Sequence, residues 1–369
     1  MHPEFHRLPV RRVSPEAGNA VALTFAVPPA VLDTFAFAPG QFLTLRAQVN
    51  GAELRRSYSI CSTPHELATS GHLQVGVRAV QGGAFSTWAQ GLQAGSSLDV
   101  MPPDGRFTVR RPRARHRVGF AAGSGITPIL SIIASTLREQ PDSQFSLVYG
   151  NRRMDSVMFN EALQDLKDRY PDRLTLIHIL SRQAQEVDLL QGRIDATKVR
   201  AIVATLLPVA SMDEVFICGP EPMIAATEAT LLELGLPARQ IHTERFASAD
   251  NATDFVAPQQ AMAGTSGKND VKTAAQTIPL AIVLDGKRHE LAMAPHEHVL
   301  DVALQAGLDL PWSCKAGVCC TCRARVMQGQ VAMDRNFTLE PDEMARGFVL
   351  TCQATPVGVD PLVISYDER

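Results

Sequence analysis

The sequence of 369 residues has no long apolar run and only a small charge imbalance. No segment approaches the roughly 20 consecutive apolar residues that span a bilayer, so we expect no membrane-spanning helix. The first residues, MHPEFHRLPVRR, lack the apolar core of a secretory signal peptide. The formal net charge of −3 argues against nucleic acid as the main partner. These absences predict a cytoplasmic protein that binds neither membranes nor nucleic acid.

Cysteine is also scarce, but most of the seven cysteines lie close together near the C-terminus. The spacing Cys314-x4-Cys319-x2-Cys322, followed by Cys352, is typical of the thiolate ligands of a plant-type [2Fe–2S] cluster. Soft sulfur donors suit iron–sulfide chemistry, and such a cluster carries one electron at a time. The sequence therefore predicts an electron carrier, in which Cys320 is surplus to the four ligands.

The two alternatives for these cysteines are a disulfide framework and a zinc site. A disulfide framework is disfavoured because no secretory segment is visible and the other cysteines, Cys61 and Cys218, are isolated. A zinc site usually pairs two C-x2-C knuckles, and here the second knuckle is missing. The iron–sulfur interpretation is therefore the stronger one.

The N-terminal part of the chain consists of short β-type runs separated by Pro, Gly and Asn turns. A chain of this length predicts two to three domains. In residues 1–111 the pattern predicts an antiparallel β-barrel domain. The runs are Val21–Val27, Gln41–Val49, Leu54–Cys61, Leu73–Val80 and Leu98–Met101.

Residues 112–246 change to a regular alternation of strands and helices. Such alternation predicts an α/β domain with a parallel sheet covered by helices on both faces. The predicted strands are Val118–Ala122, Phe145–Tyr149, Leu174–Leu180, Val215–Cys218 and Ile241–Phe246.

The last part of the chain divides into a linker and a third domain. Residues 247–277 are poor in large apolar side chains, which predicts a flexible linker. In residues 278–369, two strand-like runs flank the turn Asp285-Gly286, and Val299–Ala306 reads as a helix. The cluster loop and a last strand at Leu362–Ser365 follow, and this order predicts a β-grasp domain.

Two motifs in the first domain suit a flavin. Arg56 can grip a phosphate with two hydrogen bonds, Tyr58 offers a flat face for a ring, and Ser59 offers a hydroxyl for a ring nitrogen. The segment Gly82–Thr87 opens a short helix whose backbone N–H groups can hold a pyrophosphate. Alone, the first motif fits an ordinary amphipathic strand equally well; together the motifs favour flavin binding.

The second domain carries the features of a dinucleotide site. Gly123–Pro128 follows a strand and opens a helix, although the third glycine of G-x-G-x-x-G is absent. Arg152, Ser181 and Arg182 lie just beyond strand ends, where ligands bind in open α/β sheets. Basic rather than acidic residues there favour the 2′-phosphate of NADPH over NADH, unless these arginines are merely solvated. Cys218 precedes a glycine that would let a flat nicotinamide approach.

In order along the chain, these motifs resemble those of the ferredoxin–NADP reductase superfamily. A plant-type ferredoxin fused behind that module resembles the reductase components of multicomponent oxygenases. Within them the resemblance is strongest to the reductases that serve ring-epoxidising oxygenases in phenylacetate degradation. The stretches that carry this last resemblance are Tyr149–Arg153, Trp312–Cys319 and Met333–Phe337.

The resemblance implies a role for each motif residue. The FAD site would comprise Arg56, Tyr58, Ser59, Gly83, Ser86 and Thr87. The NADPH site would comprise Gly123, Gly125, Thr127, Arg152, Ser181 and Arg182. The nicotinamide and the flavin would meet near Tyr58, Ser59, Cys218 and the strand end Glu244–Phe246, which includes Phe246. The cluster ligands would be Cys314, Cys319, Cys322 and Cys352.

The implied function is an electron relay from NADPH through FAD and the [2Fe–2S] cluster to a di-iron oxygenase, with phenylacetyl-CoA as the substrate of that oxygenase. The alternative keeps the relay and changes the acceptor to a Rieske dioxygenase or another hydroxylase. A dense basic run, Arg110–Arg117, separates the first two domains. It is predicted to be a solvated linker, or alternatively an electrostatic dock for an acidic partner.

Overall fold

The computed structural model describes residues 4–246 and 277–368. All of the predicted linker 247–277 except its last residue lies outside the described residues. The chain forms two compact units: one contains Phe5–Leu45 and Ser57–Phe246, and the other contains Arg46–Arg56 together with the C-terminal domain. Across the two described ranges, no helix has the length and apolarity needed to cross a bilayer.

The N-terminal domain is an antiparallel sheet of six strands in the order β4-β3-β6-β1-β2-β5. Beyond the end of β4, a bridge between Ile60 and Val75 joins the chain to β5 and helps to close the sheet. Two short helices, α1 and α2, lie in its connections. The elements are β1 His6–Glu16, β2 Ala20–Ala26, β3 Phe42–Val49, β4 Ala52–Ser59, α1 Pro64–Ser70, β5 His72–Arg78, α2 Ala84–Ala89 and β6 Ser97–Val100.

The predicted antiparallel domain is confirmed, but its first strand was not predicted. Strand β1 carries arginines and prolines that hide its alternation in the sequence, yet Leu8 and Val10 are buried. It pairs with both β2 and β6, and its register with β2 shifts between Val10 and Arg12. Such a shift re-aims side chains in a way that sequence alternation does not reveal.

The second domain is a parallel five-stranded sheet in the order β11-β10-β7-β8-β9, as predicted. Apolar clusters cover both faces, with α3 and α4 on one side and α5 and α6 on the other. The strands are β7 His116–Ala122, β8 Gln144–Asn151, β9 Leu174–Leu180, β10 Glu214–Gly219 and β11 Ile241–Arg245. The helices are α3 Ile126–Glu139, α4 Asn160–Arg169, α5 Ala196–Thr205 and α6 Glu221–Glu233.

The C-terminal domain is a mixed sheet in the order β13-β12-β18-β14-β16, with a separate pair β15-β17. The central pair β12-β18 is parallel and its neighbours are antiparallel, with α7 packed into the apolar core. The predicted β-grasp order is confirmed. The elements are β12 Ile278–Leu284, β13 Lys287–Met293, α7 Val299–Gln305, β14 Arg323–Gln328, β15 Val331–Met333, α8 Pro341–Ala345, β16 Phe348–Leu350, β17 Ala354–Pro356 and β18 Leu362–Ser365.

The basic run between the first two domains is partly built into the core, which neither sequence interpretation foresaw. Arg117 is fully buried at the start of β7. Its Nε donates to Glu214 Oε2 at 3.0 Å, and its Nη1 donates to Gln140 Oε1 at 2.7 Å. A third donor, Nη2, reaches the backbone carbonyl of Arg111. The guanidinium therefore ties the connecting segment to the sheet.

Glu214 is the acceptor around which this network forms. Its Oε1 lies 3.0 Å from His242 Nε2 and accepts the Arg110 backbone N–H at 2.8 Å. Burial would raise the pKa of Glu214, but the hydrogen bonds from His242, the Arg110 amide and Arg117 together hold that pKa below its usual value. The carboxylate is therefore charged and paired inside the domain.

Substitution of Arg117 by alanine is expected to be strongly destabilising, because it leaves the Glu214 carboxylate buried beside an empty position. Breaking a buried ion pair in this way costs about 3–5 kcal/mol of unfolding free energy. Arg113 of the same run is exposed, so its alanine variant should change stability by less than about 0.5 kcal/mol. Thermal unfolding of both variants measures the difference; equal melting temperatures would contradict a structural role for Arg117.

Candidate functional sites

The turn between β7 and α3 is packed closely against the end of β10. Gly123 adopts a left-handed backbone with φ of 54°, and its carbonyl accepts the Tyr149 hydroxyl at 2.8 Å. A Cβ at Gly125 would lie 2.1 Å from the Cys218 carbonyl oxygen, so only glycine fits there. Thr127 donates its hydroxyl to Ser124 O at 3.0 Å and thereby fixes the turn. This geometry suits a loop that a flat or phosphorylated ligand approaches closely.

Arg78, at the end of β5, covers this turn and was not predicted from the sequence. Its Nε donates to the Gly18 carbonyl at 3.1 Å. Its Nη1 would lie 2.7 Å from a Cβ at Gly123. A guanidinium fixed beside a glycine turn is well placed for a phosphate oxygen. The proximity of Arg78 to the glycine turn is visible only in the folded structure, because the two belong to different domains.

Two buried groups, Ser59 and Cys218, lie with the half-buried Glu244 where β4, β10 and β11 end. The Ser59 hydroxyl donates to Glu244 Oε2 at 3.0 Å. Cys218 and Glu244 are partners in the parallel register of β10 and β11, and Phe246 follows at the end of β11. Burial raises the pKa of Glu244 to about 8, and burial together with the Glu244 charge raises that of the Cys218 thiol. At neutral pH both groups are therefore protonated.

The second predicted flavin motif forms the start of α2. The Ser86 hydroxyl accepts the Val80 N–H at 3.1 Å and donates to Gly83 O at 3.2 Å, so it shapes the turn itself. Thr87 donates its backbone N–H to Gly83 O. The Tyr58 ring lies 5.7 Å from that of Phe85, which is buried. The contacts of these residues with a flavin stay predictions. Arg56, in the other compact unit, donates Nη1 to the Arg55 carbonyl at 2.9 Å.

The ends of β8 and β9 are tied together by backbone hydrogen bonds. Ser181 donates its N–H to Asn151 O at 2.9 Å, and Arg182 donates to Arg152 O at 2.8 Å. Both arginine side chains are exposed, and within the described residues the structure gives their guanidinium groups no acceptor. The neighbouring Arg153 instead pairs with Asp155. Two available guanidinium groups at one edge of the sheet can bind a phosphate group.

The four predicted cluster ligands converge in the C-terminal domain, and each is between 3% and 6% exposed. Their thiols lie close enough to influence one another: the neighbouring thiols of Cys352, Cys319 and Cys314, together with burial, raise the pKa of Cys322. Among the described side chains, no group of three or more His, Cys, Asp or Glu is arranged to hold a metal ion. The assignment of the four cysteines as cluster ligands stays a prediction, based on their spacing and donor chemistry.

The loop that carries the first three ligands has an unusual backbone. Lys315, Gly317 and Cys320 all have positive φ, between 50° and 74°. The Ala316 N–H lies 3.4 Å from Cys314 Sγ, a contact suited to a thiolate. Cys320, the cysteine that is surplus to the four predicted ligands, is half-buried. The residues of this loop and Cys352 fit a [2Fe–2S] cluster in donor chemistry and in number.

Three family models match successive parts of the chain. An oxidoreductase FAD-binding domain matches residues 9–109. An oxidoreductase NAD-binding domain matches residues 120–229, and a 2Fe-2S iron-sulfur cluster binding domain matches residues 282–357. The order agrees with the fold, and the predicted FAD, pyridine-nucleotide and [2Fe–2S] chemistry is confirmed at the level of domains.

Relatives align along almost the whole chain. It is 44% identical over 370 residues to a component of 1,2-phenylacetyl-CoA epoxidase from Escherichia coli (strain K12), covering 99% of this chain and 98% of that protein. It is 35% identical to the ferredoxin reductase component of 3-ketosteroid-9-alpha-monooxygenase from Rhodococcus rhodochrous, covering 97% and 96%. Among solved structures, phthalate dioxygenase reductase matches 98% of both chains with a TM-score of 0.57 and 21% identity, which shows a shared fold.

Replacement of Cys319 by serine is expected to abolish the visible absorbance of the cluster, because one iron loses a soft ligand. Flavin absorbance and its reduction by nucleotide should be unchanged. The matched variant Cys320→Ser, in the same loop, should keep a full complement of iron and acid-labile sulfide. Loss of the cluster from Cys320→Ser, with retention in Cys319→Ser, would contradict the ligand assignment.

The rate of flavin reduction by nucleotide is expected to fall several-fold as pH rises through about 8. The resemblance places the flavin next to Ser59, so ionisation of Glu244 would put a negative charge beside the group predicted to accept the hydride. Glu244→Gln keeps a neutral polar side chain and should remove this pH dependence. The exposed Glu233, replaced by glutamine, serves as the control. Stopped-flow absorbance across pH measures the effect; an unchanged profile in Glu244→Gln would contradict it.

Proposed function

Because this chain belongs to the ferredoxin–NADP reductase superfamily, as a member with a fused [2Fe–2S] domain, we propose that it is the NADPH-dependent reductase of a di-iron oxygenase acting on phenylacetyl-CoA. The observation that carries the proposal is that one chain contains three parts: the glycine turn, the Ser59–Glu244 hydrogen bond and the four buried thiols. When bound, FAD accepts a hydride and passes single electrons to the cluster.

The nucleotide site is proposed to hold its ligand at two anionic groups. Arg78 and the backbone of the Gly123–Gly125 turn would bind the pyrophosphate at the start of α3. Arg152 and Arg182 would bind the 2′-phosphate, because their guanidinium groups project at one edge of the sheet. This second contact is what distinguishes NADPH from NADH.

The residues between the two ring systems would orient the rings and exclude water. Ser59 is buried and held by Glu244, so its hydroxyl oxygen has a fixed position next to the flavin-facing strand end. Cys218 precedes Gly219, where the absence of a side chain leaves room for the nicotinamide. The neutral forms of Cys218 and Glu244 at pH 7 keep negative charge away from the incoming hydride.

The cluster ligands would determine the reduction potential at which the chain passes electrons to its acceptor. A plant-type cluster with four thiolates has a potential near roughly −400 mV, low enough to reduce an oxygen-activating metal centre. Thiolate ligation also suits a reducing compartment, which supports a cytoplasmic location. The choice of a phenylacetyl-CoA epoxidase as partner is supported by the 44% identity along nearly the full length of its component from Escherichia coli. The di-iron type of that partner is implied by the resemblance of the sequence motifs.

A second candidate keeps the relay and changes the acceptor. The similarity to a 3-ketosteroid-9-alpha-monooxygenase reductase component, at 35% identity over 97% of this chain, favours another oxygenase, of the Rieske or hydroxylase type. Reconstitution of the electron-transfer chain with each candidate oxygenase distinguishes the two proposals. The protein is mixed with purified di-iron epoxidase and phenylacetyl-CoA, or with a Rieske oxygenase and its substrate, and product formed per NADPH consumed is measured. Product only with the Rieske oxygenase would overturn the first proposal.

Substitution of Arg182 by alanine is expected to raise KM for NADPH about tenfold or more, since a charge-assisted hydrogen bond contributes about 1.5–3 kcal/mol. KM for NADH should change less than about twofold, because NADH lacks the 2′-phosphate that Arg182 is proposed to bind. Arg153→Ala, whose guanidinium is already paired with Asp155, is the neighbouring control. Equal increases for the two nucleotides would contradict the 2′-phosphate assignment.

A further inference from the structure

Arg55, in the hairpin segment Arg46–Arg56, is buried in the same compact unit as the C-terminal domain. Each of its three side-chain nitrogens has an acceptor. Nε lies 2.9 Å from Glu53 Oε1, in the hairpin itself. Nη1 donates to the Leu310 carbonyl at 3.3 Å, and Nη2 lies 3.2 Å from Asp309 Oδ1. All three nitrogens are therefore engaged, two of them by the segment that leads into the cluster loop.

The same guanidinium lies over the ring of Trp312, two residues before the predicted cluster ligand Cys314. The Arg55 Cζ atom is 4.8 Å from the centre of the indole ring. The ring also has Lys315 Nζ at 4.9 Å, and that ammonium is held by Asp301 at 2.6 Å. Trp312 is only 8% exposed, so both cation–π contacts are largely shielded from water. The indole thus links the hairpin to the loop that begins at Cys314.

The two adjacent arginines of this strand have opposite orientations. Successive side chains of a strand point to opposite faces, so Arg55 and Arg56 face different ways. Arg56 is the residue proposed for the FAD phosphate, whereas Arg55 contacts the segment Asp309–Trp312. One short stretch of backbone therefore connects the flavin phosphate site to the cluster loop.

We propose that Arg55 is a positioning residue for the electron transfer from FAD to the cluster: by clamping Trp312 and the Leu310 carbonyl, it fixes the cluster loop on the hairpin that carries Arg56. The proposal rests on the proposed function. In the step concerned, reduced flavin loses one electron and the oxidised cluster gains it, with no bond made to Arg55. The residue acts only through the distance and orientation of the two cofactors.

The chemistry of the contact explains why this position needs arginine. A lysine ammonium also has three donors, but all three are on one nitrogen, so they cannot span acceptors spaced along a planar guanidinium. The ion pair with Asp309 contributes little by itself, because the Asp309 side chain is 83% exposed. The buried hydrogen bond to Leu310 O and the cation–π contact with Trp312 should carry most of the effect.

The test separates flavin reduction from cluster reduction in the full-length, cofactor-loaded protein. Arg55→Ala, Arg55→Lys and the control Arg288→Ala, whose exposed side chain pairs with Glu290 on β13, are prepared and their FAD, iron and sulfide contents measured. NADPH-to-ferricyanide turnover reports the flavin. Single-turnover stopped flow reports the bleaching of the cluster, and redox titration reports both midpoint potentials.

We expect Arg55→Ala to slow cluster reduction about tenfold or more, as loss of one partner of a buried hydrogen-bonded charge contact weakens such contacts by at least that factor. Ferricyanide turnover and both potentials should stay at wild-type values, Arg55→Lys should be intermediate, and Arg288→Ala should behave as wild type. Cluster reduction at the wild-type rate in Arg55→Ala would overturn the proposal, and so would parallel losses of both activities with shifted potentials.

A second variant, Trp312→Phe, tests the proposal if the Arg55→Ala protein does not retain FAD. A phenyl ring keeps the packing but is a weaker partner for a guanidinium, so cluster reduction should slow with both cofactors retained. Unchanged cluster reduction in Trp312→Phe would overturn the clamp. Failure of the proposed function looks different: the cluster of the wild-type protein would then not be reduced by NADPH at all.

Discussion

A hydride carries two electrons and an iron–sulfur cluster accepts one, and this mismatch accounts for the division of the chain into three domains. The parallel sheet presents a glycine turn and basic strand ends, which suit a nucleotide that donates hydride. The antiparallel sheet supplies the buried Ser59 beside Glu244, where the proposed flavin would accept the hydride. The C-terminal domain supplies four buried thiols that suit a one-electron carrier. In the proposed function, each domain would provide the ligands for one stage of the relay.

Outside the proposed cofactor sites, buried arginine side chains connect irregular segments to regular secondary structure. Arg117 is enclosed with Glu214, and Arg55 is enclosed with acceptors from its own hairpin and from the segment before the cluster loop. In both cases the guanidinium ties an irregular segment to a regular one. Such contacts need complete hydrogen bonding to offset the loss of hydration, and the fork of arginine provides it. Glu244 differs: loss of hydration raises its pKa to about 8, so its carboxyl group is mostly protonated at pH 7.

The features that the sequence predicted are those with a local signal. Cys314, Cys319 and Cys322 lie within nine residues of one another, so their motif can be recognised from the sequence alone. The strand Leu174–Leu180 has the predicted bounds. Strand β1 was not predicted because its arginines and prolines conceal the alternation of buried and exposed side chains. The position of Arg78 was not predicted because the glycine turn beside it lies in another domain. The burial of Arg117 was missed because the surrounding arginines made the whole run look solvated. For Arg78 and Arg117 the deciding contacts join residues far apart in the chain.

The central claim is that hydride enters at the flavin and leaves through iron bound to the four cysteines. Anaerobic titration of the purified protein with NADPH, followed by absorbance and electron paramagnetic resonance, tests it most directly. The account predicts that two electrons are taken up by the flavin and one by the cluster, with the signal of a reduced [2Fe–2S] centre appearing during the titration. Full reduction of the flavin, with an intact cluster that stays oxidised and silent, would contradict it.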